Sequence, residues 1–204
     1  MVFVETVAKV IIEGDDTAHE MRMKGIAIPI SKTQVVALTH CLIPPEYQYV
    51  MTMFGPMAFR QKVLSFEHFI DGKKVNLRGY KGDVALLEWE GDKVFPAKLG
   101  DSDKVKIGTK VMVFGWSLGV CQNFKDGMIS NVNLDDTYGG DSEFCFLHSV
   151  PTNPGDSGSP MIAYVDGQIV IIGIVNAMIR DNGLGFAIKS NYIKECIYEI
   201  ENSY

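Results

Sequence analysis

Several things are scarce in this chain of 204 residues, and each scarcity excludes something. Cysteine occurs four times, at Cys41, Cys121, Cys145 and Cys196, far apart and without a CxxC pair. Nothing there has the ligand spacing of a zinc site, so no metal is expected. Basic residues are outnumbered, 19 Lys and Arg against 25 Asp and Glu for a net charge of −6, which excludes a global electrostatic footprint for nucleic acid. The local cluster Lys73, Lys74, Arg78 and Lys81 is the one place where RNA binding has any footing, and such a run is ordinarily a solvated face. No apolar run approaches the roughly 18 residues that span a bilayer, so no membrane segment is expected. The opening residues carry Glu5 and lack the basic-then-apolar layout of a secretory signal, from which a cytoplasmic location is expected.

What the chain has in quantity is glycine, 20 residues of it, punctuating short runs rich in Val and Ile. Val2–Ile12, Gly25–Ile30, Gln34–Leu38 and Val84–Trp89 read as strands, and Ile43–Phe59 as a strand pair around an apolar loop. In the second half, strands are expected at Val111–Trp116, Gly127–Val132, Phe144–Val150, Met161–Val165, Ile169–Asn176 and Gly185–Ile188. Asp166-Gly167 marks a hairpin turn. Only Asn191–Glu201, with Ile193, Ile197 and Ile200 on one face, has helical spacing. Many short strands and one terminal helix predict an all-β barrel protein. The polar stretch Phe95–Gly108 divides it: residues 1–98 as a first barrel, 99–108 as a linker, 109–190 as a second barrel, and 191–204 as the helix.

The chemistry centres on Pro154-Gly155-Asp156-Ser157-Gly158-Ser159-Pro160. A serine hydroxyl is a weak nucleophile that needs a base and a place for negative charge to develop. Flanking glycines let the backbone turn and aim N–H groups at one spot, so the N–H groups of Gly155 and Ser157 are the candidate oxyanion donors. Two further segments supply the partners: Ala37-Leu38-Thr39-His40-Cys41, and Gly82-Asp83-Val84-Ala85-Leu86-Leu87. His40, Asp83 and Ser157 follow in that order, 43 and 74 residues apart. His19, His68 and His148 have no such context and read as surface or packing residues, and Asp71 and Asp92 read as turn acids.

With these three motifs in this order the sequence resembles the chymotrypsin-like, or trypsin-like, serine peptidases. Leu99-Gly100-Asp101-Ser102-Asp103-Lys104, Val113-Phe114-Gly115, Thr152-Asn153-Pro154-Gly155 and Gly185-Phe186-Ala187-Ile188 extend the resemblance to HtrA-type peptidases. The resemblance implies two six-stranded antiparallel β-barrels with a C-terminal helix and the triad between them. It also implies a polypeptide substrate and no cofactor. A substrate pocket is implied around Pro151, Thr152, Asn153, Ile174, Val175, Asn176 and Gly185. HtrA-type enzymes usually have Asn where Asp156 stands, and most append a PDZ domain, whereas this chain stops after the helix. The compact, unbridged chain also resembles the main proteases of positive-strand RNA viruses. Processing of its own viral polyprotein is therefore the expected role, with an HtrA-like cellular peptidase or a peptidase-fold binding module as alternatives.

Further details follow from the resemblance. Secreted trypsin-like enzymes bridge the cysteine beside the catalytic histidine to an upstream partner, at a position that falls near Lys24–Gly25. No cysteine stands there, so Cys41 is expected to be a free packed thiol in a reducing compartment. Trypsin-like enzymes place an Asp at the position of Pro151, and viral enzymes that cut after Gln place a His within Gly173–Ala177. Neither is present, and an apolar or small P1 residue is expected. Lys9-Val10-Ile11-Ile12-Glu13-Gly14 has the look of a zymogen activation site but reads as a strand, while Asp156 reads as a salt-bridged acid that stabilises the oxyanion loop.

Overall fold

A computed structural model describes residues 1–52, 55–91, 95–134, 142–179 and 183–203 of the chain. The first half forms seven strands: β1 (Val2–Ile12), β2 (Ala18–Pro29), β3 (Gln34–Leu38), β4 (Tyr47–Thr52), β5 (Gly55–Ile70), β6 (Lys73–Lys81) and β7 (Val84–Glu88). They are hydrogen-bonded in the order β1-β2-β3-β7-β6-β5-β4, and β1 pairs again with β5. That second pairing closes six strands into a barrel and leaves β4 as an extra strand riding on the long β5. The second half forms β8 (Lys110–Gly115), β9 (Asn123–Asn131), β10 (Cys145–His148), β11 (Pro160–Val165), β12 (Gln168–Ile179) and β13 (Leu184–Lys189), a closed barrel in the order β10-β13-β12-β11-β8-β9. The helix α1 (Ser190–Asn202) follows. The expected two six-stranded antiparallel barrels and C-terminal helix are what the chain adopts.

Alternation fills each barrel. One face of β1, β2, β3 and β7 contributes Val4, Ala27, Val35, Ala37, Ala85 and Leu87 to the first interior. Val111, Val113, Ile129, Phe146, Met161 and Ile172 fill the second. The opposite faces of β3 and β7 are also apolar. Ile28, Val36, Leu38, Val84 and Leu86 join Ile171, Ile174 and Ile188 of the second barrel and Tyr192, Ile193, Cys196 and Ile200 of α1 in one shared core. Apolar burial at roughly 25 cal/mol per Å² is what welds the barrels into one body.

Polar contacts pin α1 across that seam. Glu199 pairs with Lys81 at the end of β6, and Gln34 of β3 donates to Glu201 at 2.7 Å. Gly79 lets Ile200 approach β6 closely, because a Cβ there would meet Ile200 Cγ2 at 2.9 Å.

Some elements differ from the sequence reading. The strand expected from Gly25 begins at Ala18, the strand expected from Gly127 begins at Asn123, and β6 with the far half of β5 was not expected at all. β5 and β6 carry polar residues in cross-strand ion pairs, Lys74 with Glu67 and Arg78 with Glu88 of β7, so they lack the apolar alternation that announces a strand. The same pairs, with Lys81–Glu199, occupy three of the four cations of the basic cluster, as a solvated face would. Asp166 and Gly167 both have positive φ, 49° and 78°, as a two-residue hairpin turn requires. Ile11 lies inside β1, paired with Ala18 on one side and Lys62 on the other, so the activation-like segment is a strand. Among the described residues no helix is long and apolar enough to cross a membrane.

Candidate active site

The site is built from the ends of strands where the barrels meet. β3 runs into a single 3₁₀ turn, Thr39–Cys41, which carries His40. The β6–β7 turn, with Gly82 at φ 54°, presents Asp83. Both ends are tied together: Thr39 N donates to the Asp83 carbonyl at 3.0 Å, and His40 N to Asp83 Oδ1 at 3.0 Å. His40 Nδ1 lies 2.9 Å from Asp83 Oδ1 and 2.8 Å from Oδ2. With Nδ1 as the donor, Nε2 is left as the basic nitrogen. Burial pulls the imidazole pKa down, but the hydrogen bond to Asp83, the adjacent Cys41 sulfur and the carboxylate charge outweigh it, and the net direction is up from 6.5. Solvent screens that gain, because 46% of the His40 side chain stays exposed.

Cys41 is buried and unbridged, as expected. Its would-be partner is Gly25, where a Cβ would lie 2.6 Å from Cys41 Cβ. That is closer than the roughly 3.5–4.5 Å between the Cβ atoms of a disulfide, so glycine at position 25 is what lets the two backbones approach this far.

Ser157 sits before β11, in a loop fixed on both sides. Gly158 N donates to Val175 O at 2.8 Å, and Val175 N to Ser159 O at 2.9 Å. Gly158, at φ 89°, packs so closely on the Ile26 carbonyl of the first barrel that any Cβ there would clash with it. Glycine at this position therefore serves both the turn and the close approach of the barrel carrying Ser157 to the barrel carrying His40. Ser157 Oγ donates to the Asn176 carbonyl at 3.4 Å, and Asn176 stands at a bulge where the β12–β13 register slips.

The preceding turn carries the two N–H groups expected as oxyanion donors. Asp156 N donates to Asn153 O at 3.0 Å, with Pro154 and Gly155 between them and Gly155 at φ 94°, a type II turn. Leu118 N donates to Pro154 O at 2.7 Å. In a trans peptide C=O and N–H point in opposite directions, so this bond turns the Gly155 N–H away from Leu118. Among the described residues neither the Gly155 nor the Ser157 N–H is taken up by an acceptor of the chain. The N–H of Asp156 between them is used internally. Two free donors separated by one engaged donor is the pattern an oxyanion site needs.

The pocket expected beside Ser157 is only partly as read. Pro151 and Asn153 are exposed and Thr152 is half-buried. Ile174 and Val175, by contrast, are 1% and 2% exposed, turned into the shared core and the second-barrel core respectively. Their side chains line nothing, because successive residues of a strand face opposite sides and both sides here are packed. Gly185 faces Thr152: a Cβ on it would meet Thr152 Oγ1 at 2.7 Å and His148 Nε2 at 2.9 Å.

His148, fully buried and paired in register with Gly185, is the residue sequence reasoning left out of this region. Burial lowers its pKa to about 4, against small opposing effects from the Phe186 and Val150 backbone, and neither ring nitrogen reaches hydrogen-bond geometry. Asp92 lies outside the described residues. Among the described residues no cluster of His, Cys, Asp and Glu has the makings of a metal site.

A closed pair of β-barrels with a His–Asp pair on one and a glycine-flanked serine on the other defines the class of chymotrypsin-like serine peptidases. Comparison with known proteins agrees. Residues 30–174 match the trypsin-like peptidase domain, and the chain belongs to that family. It is 33% identical over 128 residues to the serine protease Do-like HtrB of Bacillus subtilis, covering 58% of this chain and 27% of that protein. It is 30% identical over 161 residues to a probable periplasmic serine endoprotease DegP-like of Marinomonas, covering 69% and 33%.

The chain thus spans about a quarter to a third of the length of these curated relatives. Among solved structures, the HtrA-type protease AlgW with a decapeptide superposes with a TM-score of 0.67 at 18% identity, over 97% of this chain and 64% of that one. The serine endoprotease from Yersinia pestis superposes with a TM-score of 0.63 at 16% identity, over 99% and 64%.

Proposed function

We propose that this chain is an HtrA-like serine endopeptidase that cleaves polypeptides through an acyl-enzyme. The observation that carries the reading is a His40 oriented by Asp83 on one barrel and, on the other, a serine flanked by two uncommitted backbone donors. Ser157 Oγ rotates from the Asn176 carbonyl to His40 Nε2, attacks the scissile carbonyl and gives its proton to His40. The N–H groups of Gly155 and Ser157 receive the oxyanion. His40 then protonates the leaving amine, and water reverses the sequence to release the acid. Asp83 holds the tautomer and stabilises the imidazolium throughout. None of these steps needs a cofactor.

Bacterial HtrA and DegP-like proteins are the relatives found, which favours the HtrA-like role over the viral polyprotein processing expected from sequence. Three buried cysteines, Cys41, Cys145 and Cys196, stand outside any disulfide, which supports folding in a reducing compartment. Thr152 and His148 fill the space in front of Gly185, which supports the small or apolar P1 preference.

Digestion of a peptide library with the chain and with Ser157→Ala tests the reading. Cleavage after small apolar residues, lost in the variant, is the expected result. A dominant Gln or Arg preference at P1 contradicts the pocket. Cleavage by neither protein favours a peptidase-fold binding module, for which the Ser157–Asn176 hydrogen bond is the supporting observation.

A further inference from the structure

Between the two free donors of the oxyanion loop stands Asp156, a carboxylate with no exposed surface. Three groups contact it, one of them backed by a fourth. Asn153 N donates to Oδ2 at 2.7 Å, Ser117 Oγ donates at 3.0 and 3.1 Å, and Asn123 Nδ2 supports Ser117 Oγ at 2.9 Å. The Lys125 ammonium pairs with Oδ2 directly. Lys125 itself is sunk, with 12% of its side chain exposed. Gly115 completes the cradle, since any Cβ there would collide with Asp156 Oδ1.

A lysine in this place is not explained by strand packing. β9 alternates with inverted chemistry: Phe124 and Met128 are exposed while Lys125 is turned inward. Nor is the β8–β9 connection relaxed. Leu118 is held at φ 57°, a conformation costly for a branched side chain, and from there its N–H reaches Pro154 O. Two consecutive residues of this connection thus grip the oxyanion loop, Ser117 at Asp156 and Leu118 at Pro154. A newly cut N-terminus at Ile11 has no route to Asp156, because Ile11 is paired on both sides within β1.

We propose that Lys125 is a positioning residue for catalysis: its ammonium, delivered from within the folded barrel, fixes Asp156 and thereby holds the Gly155 and Ser157 N–H groups in the competent arrangement without proteolytic activation. The inference rests on the serine-peptidase reading above. Remove the ammonium and a buried carboxylate is left without its counter-charge. The carboxylate then turns toward water, and the peptide units on either side of it turn as well. His40 and Asp83 lie on the other barrel and are untouched. Replacing Asp156 by Asn at the same time removes the charge that needs Lys125 while keeping an acceptor for Asn153 N and Ser117 Oγ.

The test is the second-order rate of labelling by a small fluorophosphonate, read by intact mass on wild type, Lys125→Met, Lys125→Met/Asp156→Asn and Ser117→Ala. Peptide kcat and KM are measured alongside. Lys125→Met is expected to label about 100-fold more slowly, the size of effect that follows loss of an oxyanion donor, with kcat lowered and KM little changed. The double variant is expected to recover to within about tenfold of wild type, and Ser117→Ala to fall between them.

Wild-type labelling by Lys125→Met, or a folded double variant no faster than the single one, overturns the proposal. Should Lys125→Met fail to fold, Ser117→Ala and the double variant decide: an unimpaired Ser117→Ala or an inert, folded double variant overturns it. Failure of the wild-type chain to label is a different result and removes the peptidase reading itself.

Discussion

At the scale of single residues, the functional assignments depend on which groups are already committed to other partners. His40 Nδ1 is committed to Asp83, so Nε2 is the nitrogen left for the hydroxyl. The net upward direction of the His40 pKa means that the free base forms only as pH rises above the ordinary histidine range. The rate kcat/KM should therefore climb with pH through a value above 6.5. Asp83→Asn should lower the rate about 10⁴-fold and move the limb to lower pH, measured as a pH–rate profile. An unshifted limb would show that Asp83 does not act on the imidazole.

His40, Asp83, Ser157 and Gly155 can be nominated from sequence because each lies in a short motif whose composition suggests its chemistry. Lys125 was not legible. It lies 31 residues before Asp156, on a strand, and only the inversion of Phe124 and Met128 outward against Lys125 inward betrays it. His148 was read as surface or packing. Packing is correct, and its place beside Thr152 follows from the β10–β13 register, which no local pattern encodes.

At the scale of elements, β10 carries a pH liability. Burial holds His148 neutral, with a pKa lowered to about 4, while the unfolded chain titrates near 6.5. Between those values the unfolded chain binds the extra proton, so stability is complete above pH 6.5 and is lost as pH falls toward 4. One proton over that window amounts to about 3 kcal/mol. Burial lowers the His68 pKa in β5 too, and its effect has the same sign. Urea unfolding at pH 7 and pH 4.5 should show this loss, and His148→Met should flatten it. An equal pH dependence in the variant would place the acid sensitivity elsewhere. Short continuous apolar runs, such as β3 and β7, are legible in the sequence at or near their limits. The far half of β5 and all of β6 were missed because charge pairs between strands, and not burial, decorate their exposed faces.

At the scale of the whole molecule, the site exists because two closed barrels share one apolar seam. Leu38 and Val84, each next to a triad residue or its neighbour in the first barrel, are buried in the same cluster as Ile174 and Ile188 of the second. The contact of Gly158 with the Ile26 carbonyl then sets how near Ser157 comes to His40. The all-β barrel character is legible from strand and turn signals, and the pair of six-stranded barrels from the family resemblance that the three motifs carry. The seam was not, since it is made by faces that a single strand's alternation leaves ambiguous: β3 and β7 are apolar on both.

The most direct test of a preorganised Ser157 nucleophile is intact-mass spectrometry after incubation with a fluorophosphonate, run beside Ser157→Ala. A single adduct on the native chain that is absent from the variant is the predicted result. A folded native chain that takes no adduct, or an adduct that persists in the variant, would contradict it.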